Sequence, residues 1–241
     1  MRTLIIIPAY NEEESISTVV DNLIKEYPQF DYVVINDGSK DNTAAICRQK
    51  GYNFVNQPIN LGLAGAVQTG MKYAYACQYD AAIQFDADGQ HLPEYIQGMV
   101  DQLEQGCDIV IGSRFLKKRK PFTMRMLGSH LISFAIRITT GQKICDPTSG
   151  MRLYGSRMIK ELATQINLGP EPDTIAHLIR RGALVKEVQV EMHERIAGNS
   201  YLTLFRSMSY MLQMAVSIML VQWFRGGKRF EPGEGSDSSV N

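Results

Sequence analysis

The chain is poor in the features that mark exported or membrane-spanning proteins. Its four cysteines, Cys47, Cys77, Cys107 and Cys145, lie far apart and show no paired metal spacing, which excludes a disulfide framework and a zinc site and points to a reducing cytoplasm. Only Leu4 to Ile7 form an apolar run before Pro8, too short for a signal peptide, so export is not expected. Met208 to Phe224 is uncharged for 17 residues, the short limit for a bilayer span. Despite Gly62 and Gly65, no G-x-G-x-x-G follows the first apolar segment, which argues against a dinucleotide-binding fold. His91, His130, His177 and His193 have no ligand spacing and read as structural. Nor is there an excess of charge: 25 basic and 25 acidic residues cancel, and nothing global favours a nucleic-acid partner.

That cancellation conceals an uneven distribution. Arg114 to Lys143 holds eight basic residues and no acid, and Arg195 to Arg229 holds five more, so 13 of the 25 basic residues lie in two acid-free segments. With 241 residues, 44% hydrophobic and 21% charged, the chain is long enough for one large α/β domain or two small ones around a full core.

Apolar runs at Thr3 to Pro8, Tyr32 to Ile35, Asn53 to Asn56, Ala81 to Phe85 and Asp108 to Ile111 predict strands. Between them helices are expected, opened by Asn11 with Glu12 to Glu14, by Asp41 or Asn42, by the Asn60 to Ala66 segment and by Pro93. This alternation predicts right-handed βαβ units and a mostly parallel sheet, with ligands at the strand C-terminal ends. Beyond Gly112 the pattern loosens into helices at Phe122 to Thr139, Ser156 to Thr164, Asp173 to Arg181 and Tyr201 to Phe224, with short strands near Gly150 to Tyr154 and Leu184 to Val190. Glu231 to Asn241 reads as disordered.

The most informative stretch is Ile83 to His91. In extended backbone, residues two apart face one side, so Asp86 and Asp88 can aim oxygens at one point past the strand. That suits Mg²⁺ or Mn²⁺ whose other positions are filled by phosphate oxygens. A polar turn with Asp chosen for geometry is the competing explanation. Tyr10-Asn11-Glu12 and Asp37-Gly38-Ser39, at two further strand ends on the same rim, favour a nucleotide site.

Seven segments then occur in order: Pro8-Ala9-Tyr10-Asn11-Glu12, Asn36-Asp37-Gly38-Ser39, Asn60-Leu61-Gly62, Asp86-Ala87-Asp88-Gly89-Gln90-His91-Leu92-Pro93, Gly112-Ser113-Arg114, Asp146-Pro147-Thr148-Ser149-Gly150 and Glu194-Arg195-Ile196-Ala197-Gly198-Asn199-Ser200. From Ile5 to about Ser200 the chain resembles family 2 glycosyltransferases, in particular the polyprenyl- and dolichol-phosphate sugar synthases. The resemblance implies an α/β fold of the GT-A type, a mostly parallel central sheet flanked by helices, a nucleoside-diphosphate sugar donor, and Mg²⁺ or Mn²⁺. It puts Pro8, Tyr10 and Glu12 at the base and ribose, Asp37 on the base, and Asp86, Ala87 and Asp88 at the pyrophosphate. Asp88 becomes the direct metal ligand, with Asp86 and Gln90 beside it, and Arg195 and Ser200 belong to a segment that closes over the pyrophosphate. Many relatives carry Lys where this chain has Tyr201, which leaves a second cationic clamp without its usual residue.

The implied reaction is inverting transfer of the sugar to a polyprenyl (undecaprenyl or dolichyl) phosphate. An ionised phosphate acceptor needs no general base but needs cations, and Arg114, Arg125 and Ser129 are the expected contacts. The alternative is a sugar hydroxyl of a lipid-linked or cell-wall glycan, with Asp173, or else Glu171, as the base. A sugar nucleotidyltransferase would want a Gly-rich basic loop where Pro8 to Glu12 stands, and a membrane-binding module would have no use for the Asp pair. Which sugar, which base and which oligomeric state stay open, a homo-oligomer or a small membrane partner included.

Residues 1–200 are read as the glycosyltransferase domain with a membrane-facing helix at 122–139, residues 201–226 as an amphipathic membrane-associated segment, and 227–241 as a tail. In the last helix Arg206, Ser209, Gln213 and Ser217 draw a polar stripe beside Met208, Met211, Leu212, Met219 and Leu220. With Trp223 and Arg225 at headgroup level, this pattern suits the cytoplasmic face of an anionic membrane without a span. Packing of the helix on the protein's own core, or in a dimer, is the competing reading.

Overall fold

The computed structural model describes residues 1–118, 120, 123–165, 168–193, 204–220, 224 and 229–230, without the side chains of 124–125 and 204–207. Seven strands, β1 (Thr3–Ala9), β2 (Asp31–Asn36), β3 (Phe54–Asn56), β4 (Ala81–Gln84), β5 (Ile109–Ser113), β6 (Arg152–Gly155) and β7 (Val185–Gln189), make one sheet in the order β3-β2-β1-β4-β6-β5-β7. Leu4 to Ile7 of β1 are fully buried, as befits a central strand covered on both faces. Alternate side chains enter two separate cores: Leu4 and Ile6 join Val33 and Ile35 on one face, while Ile5 and Ile7 join Val34 on the other.

Helices α1 (Ile16–Glu26), α2 (Thr43–Lys50) and α4 (Ile96–Glu104) cover the second face. In α1 the buried Ile16, Val19, Val20 and Leu23 recur at the spacing of one helical stripe. The first face carries α3 (Gly62–Ala76), α5 (Met124–Thr140), α6 (Ser156–Thr164), α7 (Pro172–Arg180) and α8 (Leu204–Met219). α6 begins and ends where the sequence predicts, and Gly51 ends α2 in the left-handed conformation.

Two features differ from expectation. α1 begins at Ile16 rather than at Asn11 to Glu14, because those residues are committed to contacts with the neighbouring loop described below. More consequentially, β6 runs antiparallel to β4 and β5, although every other pairing in the sheet is parallel. The reversal brings the N-terminal end of β6, with the preceding Asp146 to Gly150 loop, onto the rim where β4 and β5 end.

Candidate active site

The ends of β1, β2 and β4 frame a cavity of about 390 Å³ lined by Pro8, Ala9, Tyr10, Glu12, Asp37, Asn60, Gly62, Leu63, Ala66, Asp86, Ala87 and Asp88. Its loops are stitched to one another. Asn11 holds a left-handed φ of 56°, and its Oδ1 accepts from Lys40 N–H at 2.8 Å. Asn11 N–H donates to Ser39 Oγ at 3.0 Å and Glu12 N–H to Thr43 Oγ1 at 2.9 Å. Asn is among the few non-glycine residues that tolerate this backbone conformation, and here its side chain is fixed by the Lys40 N–H of the next loop. Gly38 closes the next gap: a Cβ there would lie 2.6 Å from the backbone of Ile59 and Asn60. Asp37 is buried, its N–H donating to Ala9 O at 2.9 Å and its Oδ1 accepting from Leu61 N–H at 2.7 Å.

Asp86 and Asp88 line this cavity together, as their spacing predicts. Asp88, 5% exposed, accepts the Gln90 N–H on Oδ1 at 3.0 Å in a local side-chain turn. Gln90 does not line the cavity; its Nε2 donates to His193 O at 3.4 Å, and His193 N–H to Gln90 O at 3.0 Å. Among the described residues no group of three or more His, Cys, Asp or Glu is arranged to hold a metal alone. Two carboxylates in an oxygen-lined cavity nevertheless fit a hard divalent cation that completes its shell with phosphate and water.

Two strand spacings along the rim, about 10 Å, the end of β5 presents Arg114. Its guanidinium makes a two-pronged contact with the fully buried Asp146, Nε to Oδ2 at 2.7 Å and Nη2 to Oδ1 at 2.9 Å. Glu187 of β7 holds the same loop through Cys145 N–H at 2.6 Å and Asp146 N–H at 2.8 Å. Beside them Lys120 Nζ donates to the buried Ser129 hydroxyl at 2.8 Å. Burial pushes the Lys120 ammonium below its ordinary pKa, while Asp146 and other nearby acids oppose that shift. Lys120 is a candidate residue that sequence reasoning missed: within Lys117-Lys118-Arg119-Lys120 nothing in the sequence distinguishes it from the exposed Lys117 and Lys118. Arg125 shares α5 with Ser129, but its side chain lies outside the described residues, as do Arg195, Ser200, Trp223, Arg225 and the Glu231 to Asn241 tail.

Asp173 does not line the cavity. It is buried in the first turn of α7 and accepts from Ser217 Oγ of α8 at 2.8 Å, while Glu171 accepts from the Tyr210 hydroxyl. Ser217 therefore leaves the expected polar stripe and faces inward. α8 packs against α5 and α7 through Met211, Ala215 and Ile218, yet leaves Met208, Leu212, Val216, Met219 and Leu220 exposed. Leu127, Leu131, Phe134 and Ile138 of α5 are exposed as well, and the two helices bound an apolar groove of about 790 Å³. One side of the last helix thus packs on the protein's own core, as one of the two readings expects, and among the described residues the other side is an uncovered apolar face. No described helix is long and apolar enough to cross a membrane.

Comparison with known proteins agrees with this geometry. Residues 4–163 match the family described as Glycosyl transferase family 2. The UDP-N-acetylglucosamine–dolichyl-phosphate N-acetylglucosaminyltransferase of Methanococcus voltae is 34% identical over 184 residues, 67% of this chain and 72% of that protein. The polyprenol monophosphomannose synthase of Mycolicibacterium smegmatis is 29% identical over 213 residues, 83% of this chain and 80% of that protein. Among solved structures, glucosyl-3-phosphoglycerate synthase from Mycobacterium tuberculosis, in complex with Mn²⁺, UDP and phosphoglyceric acid, superposes with a TM-score of 0.63 at 17% identity, covering 92% of this chain and 78% of that one. That likeness identifies the fold as the GT-A type. With a family match over most of the chain and a cavity of the expected residues, this protein is a member of glycosyltransferase family 2, an enzyme that uses a nucleotide-sugar donor.

Proposed function

We propose that the protein transfers a sugar, with inversion, from a nucleoside diphosphate to the phosphate of a polyprenyl-type lipid on an anionic membrane surface. The observation that carries this reading is helix α5. On its inner side Ser129 meets Lys120 beside Arg114, and on its outer side Leu127, Leu131, Phe134 and Ile138 are exposed. One helix thereby joins a cationic head site to an apolar surface, the two requirements of a phosphorylated lipid. The named activities of the M. voltae and M. smegmatis relatives support the same acceptor class.

In this reading Pro8, Tyr10 and Glu12 line the base and ribose, and Asp37, with one oxygen held by Leu61 N–H, offers the other to the base. Asp88, with Asp86 beside it and the Gln90 N–H closing the turn on its Oδ1, would hold Mg²⁺ or Mn²⁺, which supplies positive charge where the leaving diphosphate develops negative charge. Ala87 lets the backbone approach the pyrophosphate, and Arg195 and Ser200 are assigned to that same leaving group. Lys120, Arg125 and Ser129 receive the acceptor phosphate and aim an oxygen at the sugar carbon opposite the diphosphate. No base is required, since the acceptor is already an anion.

A pair of variants tests the acceptor. Arg125→Ala should raise the KM for the lipid phosphate about tenfold or more and leave that for the sugar nucleotide near wild type, whereas Asp173→Asn should keep most of the turnover. Activity abolished by Asp173→Asn with Arg125→Ala unaffected would instead identify a hydroxyl acceptor.

The uncovered faces of α5 and α8, flanked by the acid-free basic segments, are assigned to the membrane surface, where each Lys or Arg adds roughly 1 kcal/mol of attraction. Sedimentation with vesicles should show strong binding to anionic lipid that falls with salt and reverses on carbonate washing. Protein left in the supernatant at low salt would contradict the assignment.

A further inference from the structure

Two buried polar side chains next to the cavity have no part in the reading above. Gln84, 1% exposed, ends β4, and His91, 4% exposed, lies beyond the Asp86 to Gln90 turn. Both reach Asp86. Gln84 Nε2 donates to Asp86 Oδ1 at 3.2 Å. His91 Nδ1 accepts the Asp86 N–H at 2.9 Å, which leaves the proton on Nε2, and that nitrogen lies 3.6 Å from Asp86 Oδ2. The imidazole is held edge-on against Phe85, ring centres 5.4 Å apart. Gly150 closes the remaining side: a Cβ there would stand 3.0 Å from Asp86 Oδ2 and 3.5 Å from both Gln84 Nε2 and His91 Cε1.

The amide of Gln84 also carries a cost. Among the described residues its Oε1 is buried without a hydrogen-bond partner. A side chain serving stability alone would be apolar at this position, because an orphaned buried acceptor destabilises the fold. The hold of Nε2 on Asp86 is the compensating gain. We propose that Gln84 and His91 are positioning residues that lock the Asp86 carboxylate from both sides, so that Asp86 and Asp88 meet the metal and nucleoside diphosphate as a preformed pair. This rests on the donor-site reading above. Partners of this kind fix a ligand's orientation before the ion arrives, and their loss typically weakens metal binding about 10- to 100-fold.

The test is Mn²⁺ binding by the full-length protein, followed through the electron paramagnetic resonance signal of free Mn²⁺, with UDP or GDP present, for wild type, Gln84→Met and His91→Phe. Both variants should bind Mn²⁺ about 10- to 100-fold more weakly. Gln84→Met should melt, without metal, at or above the wild-type temperature, because the orphaned oxygen is gone. His91→Asn, which keeps an acceptor for the Asp86 N–H but cannot span to Oδ2, should fall between His91→Phe and wild type. Wild-type Mn²⁺ affinity in Gln84→Met and His91→Phe, with only the melting temperature changed, would overturn the positioning role and leave the donor site standing. Wild type that binds Mn²⁺ with neither nucleotide would overturn both. Should His91→Phe not fold, Gln84→Met alone decides: weakened binding at an unchanged melting temperature upholds the role, and full affinity overturns it.

Discussion

Asp88→Ala is expected to lower kcat/KM by about 10³-fold or more, to abolish stimulation by Mg²⁺ or Mn²⁺, and to leave the protein folded. Asp88 lines the cavity beside Asp86, and in the proposed function its carboxylate serves the metal rather than the core packing. It also accepts the Gln90 N–H on Oδ1 at 3.0 Å, and losing that bond costs about 1 kcal/mol. Asp88→Asn separates the two duties, because the amide oxygen can still accept from Gln90 while the charge is gone. Asn should restore the melting temperature without restoring the metal response. A metal-responsive, fully active Asp88→Asn enzyme, or a wild type indifferent to chelator, would remove Asp88 from the metal site.

The second large effect is on stability. Arg114→Ala should destabilise the fold by about 3–5 kcal/mol, because it leaves the Asp146 carboxylate, 0% exposed, without its cation. A loss of that size is a large part of a domain's total stability. Asp146→Asn in the Arg114→Ala background should recover part of it. The pair also sets a pH dependence. Burial pushes the Asp146 carboxyl up, but the hydrogen bonds and charge of Arg114, with Lys120 behind it, outweigh burial and hold it below the ordinary carboxylate range. A carboxyl depressed in the folded state contributes stability above its unfolded pKa, about 3.9, and loses it as pH falls through the folded value. Denaturant unfolding should therefore show a steep loss of stability below about pH 4, absent in Asp146→Asn. If Arg114→Ala keeps wild-type stability and loses only affinity for lipid phosphate, the guanidinium serves the acceptor and not Asp146.

Much of the cavity at the ends of β1, β2 and β4 was legible in the chain because its signals are local. Strand ends followed by Tyr10-Asn11-Glu12, Asp37-Gly38 and Asp86-Ala87-Asp88 announce themselves by apolar runs and turn residues, and the cavity collects them as expected. The contacts around Arg114 and along α8 are long-range, and no spacing encodes them. Arg114 meets Asp146 across 32 positions, and Ser217 meets Asp173 across 44. The antiparallel course of β6 was equally hidden, since four residues, Arg152 to Gly155, carry no mark of direction. Lys120 differs from the exposed Lys117 and Lys118 in being partly buried against Ser129 of α5. The helical spacing of α8 showed an amphipathic element but not which side the body would cover, because Ser217 turns inward to a carboxylate that only the fold brings near.

The central claim, transfer from a nucleotide sugar to a lipid phosphate, is tested most directly by nucleoside diphosphate release from purified protein with sugar nucleotides and Mg²⁺ or Mn²⁺. Release should be slow with the donor alone, should rise about 10²-fold or more when polyprenyl phosphate in anionic vesicles is added, and should vanish with chelator. Equal release with and without the lipid phosphate, or release that requires a glycan hydroxyl in its place, would contradict the account.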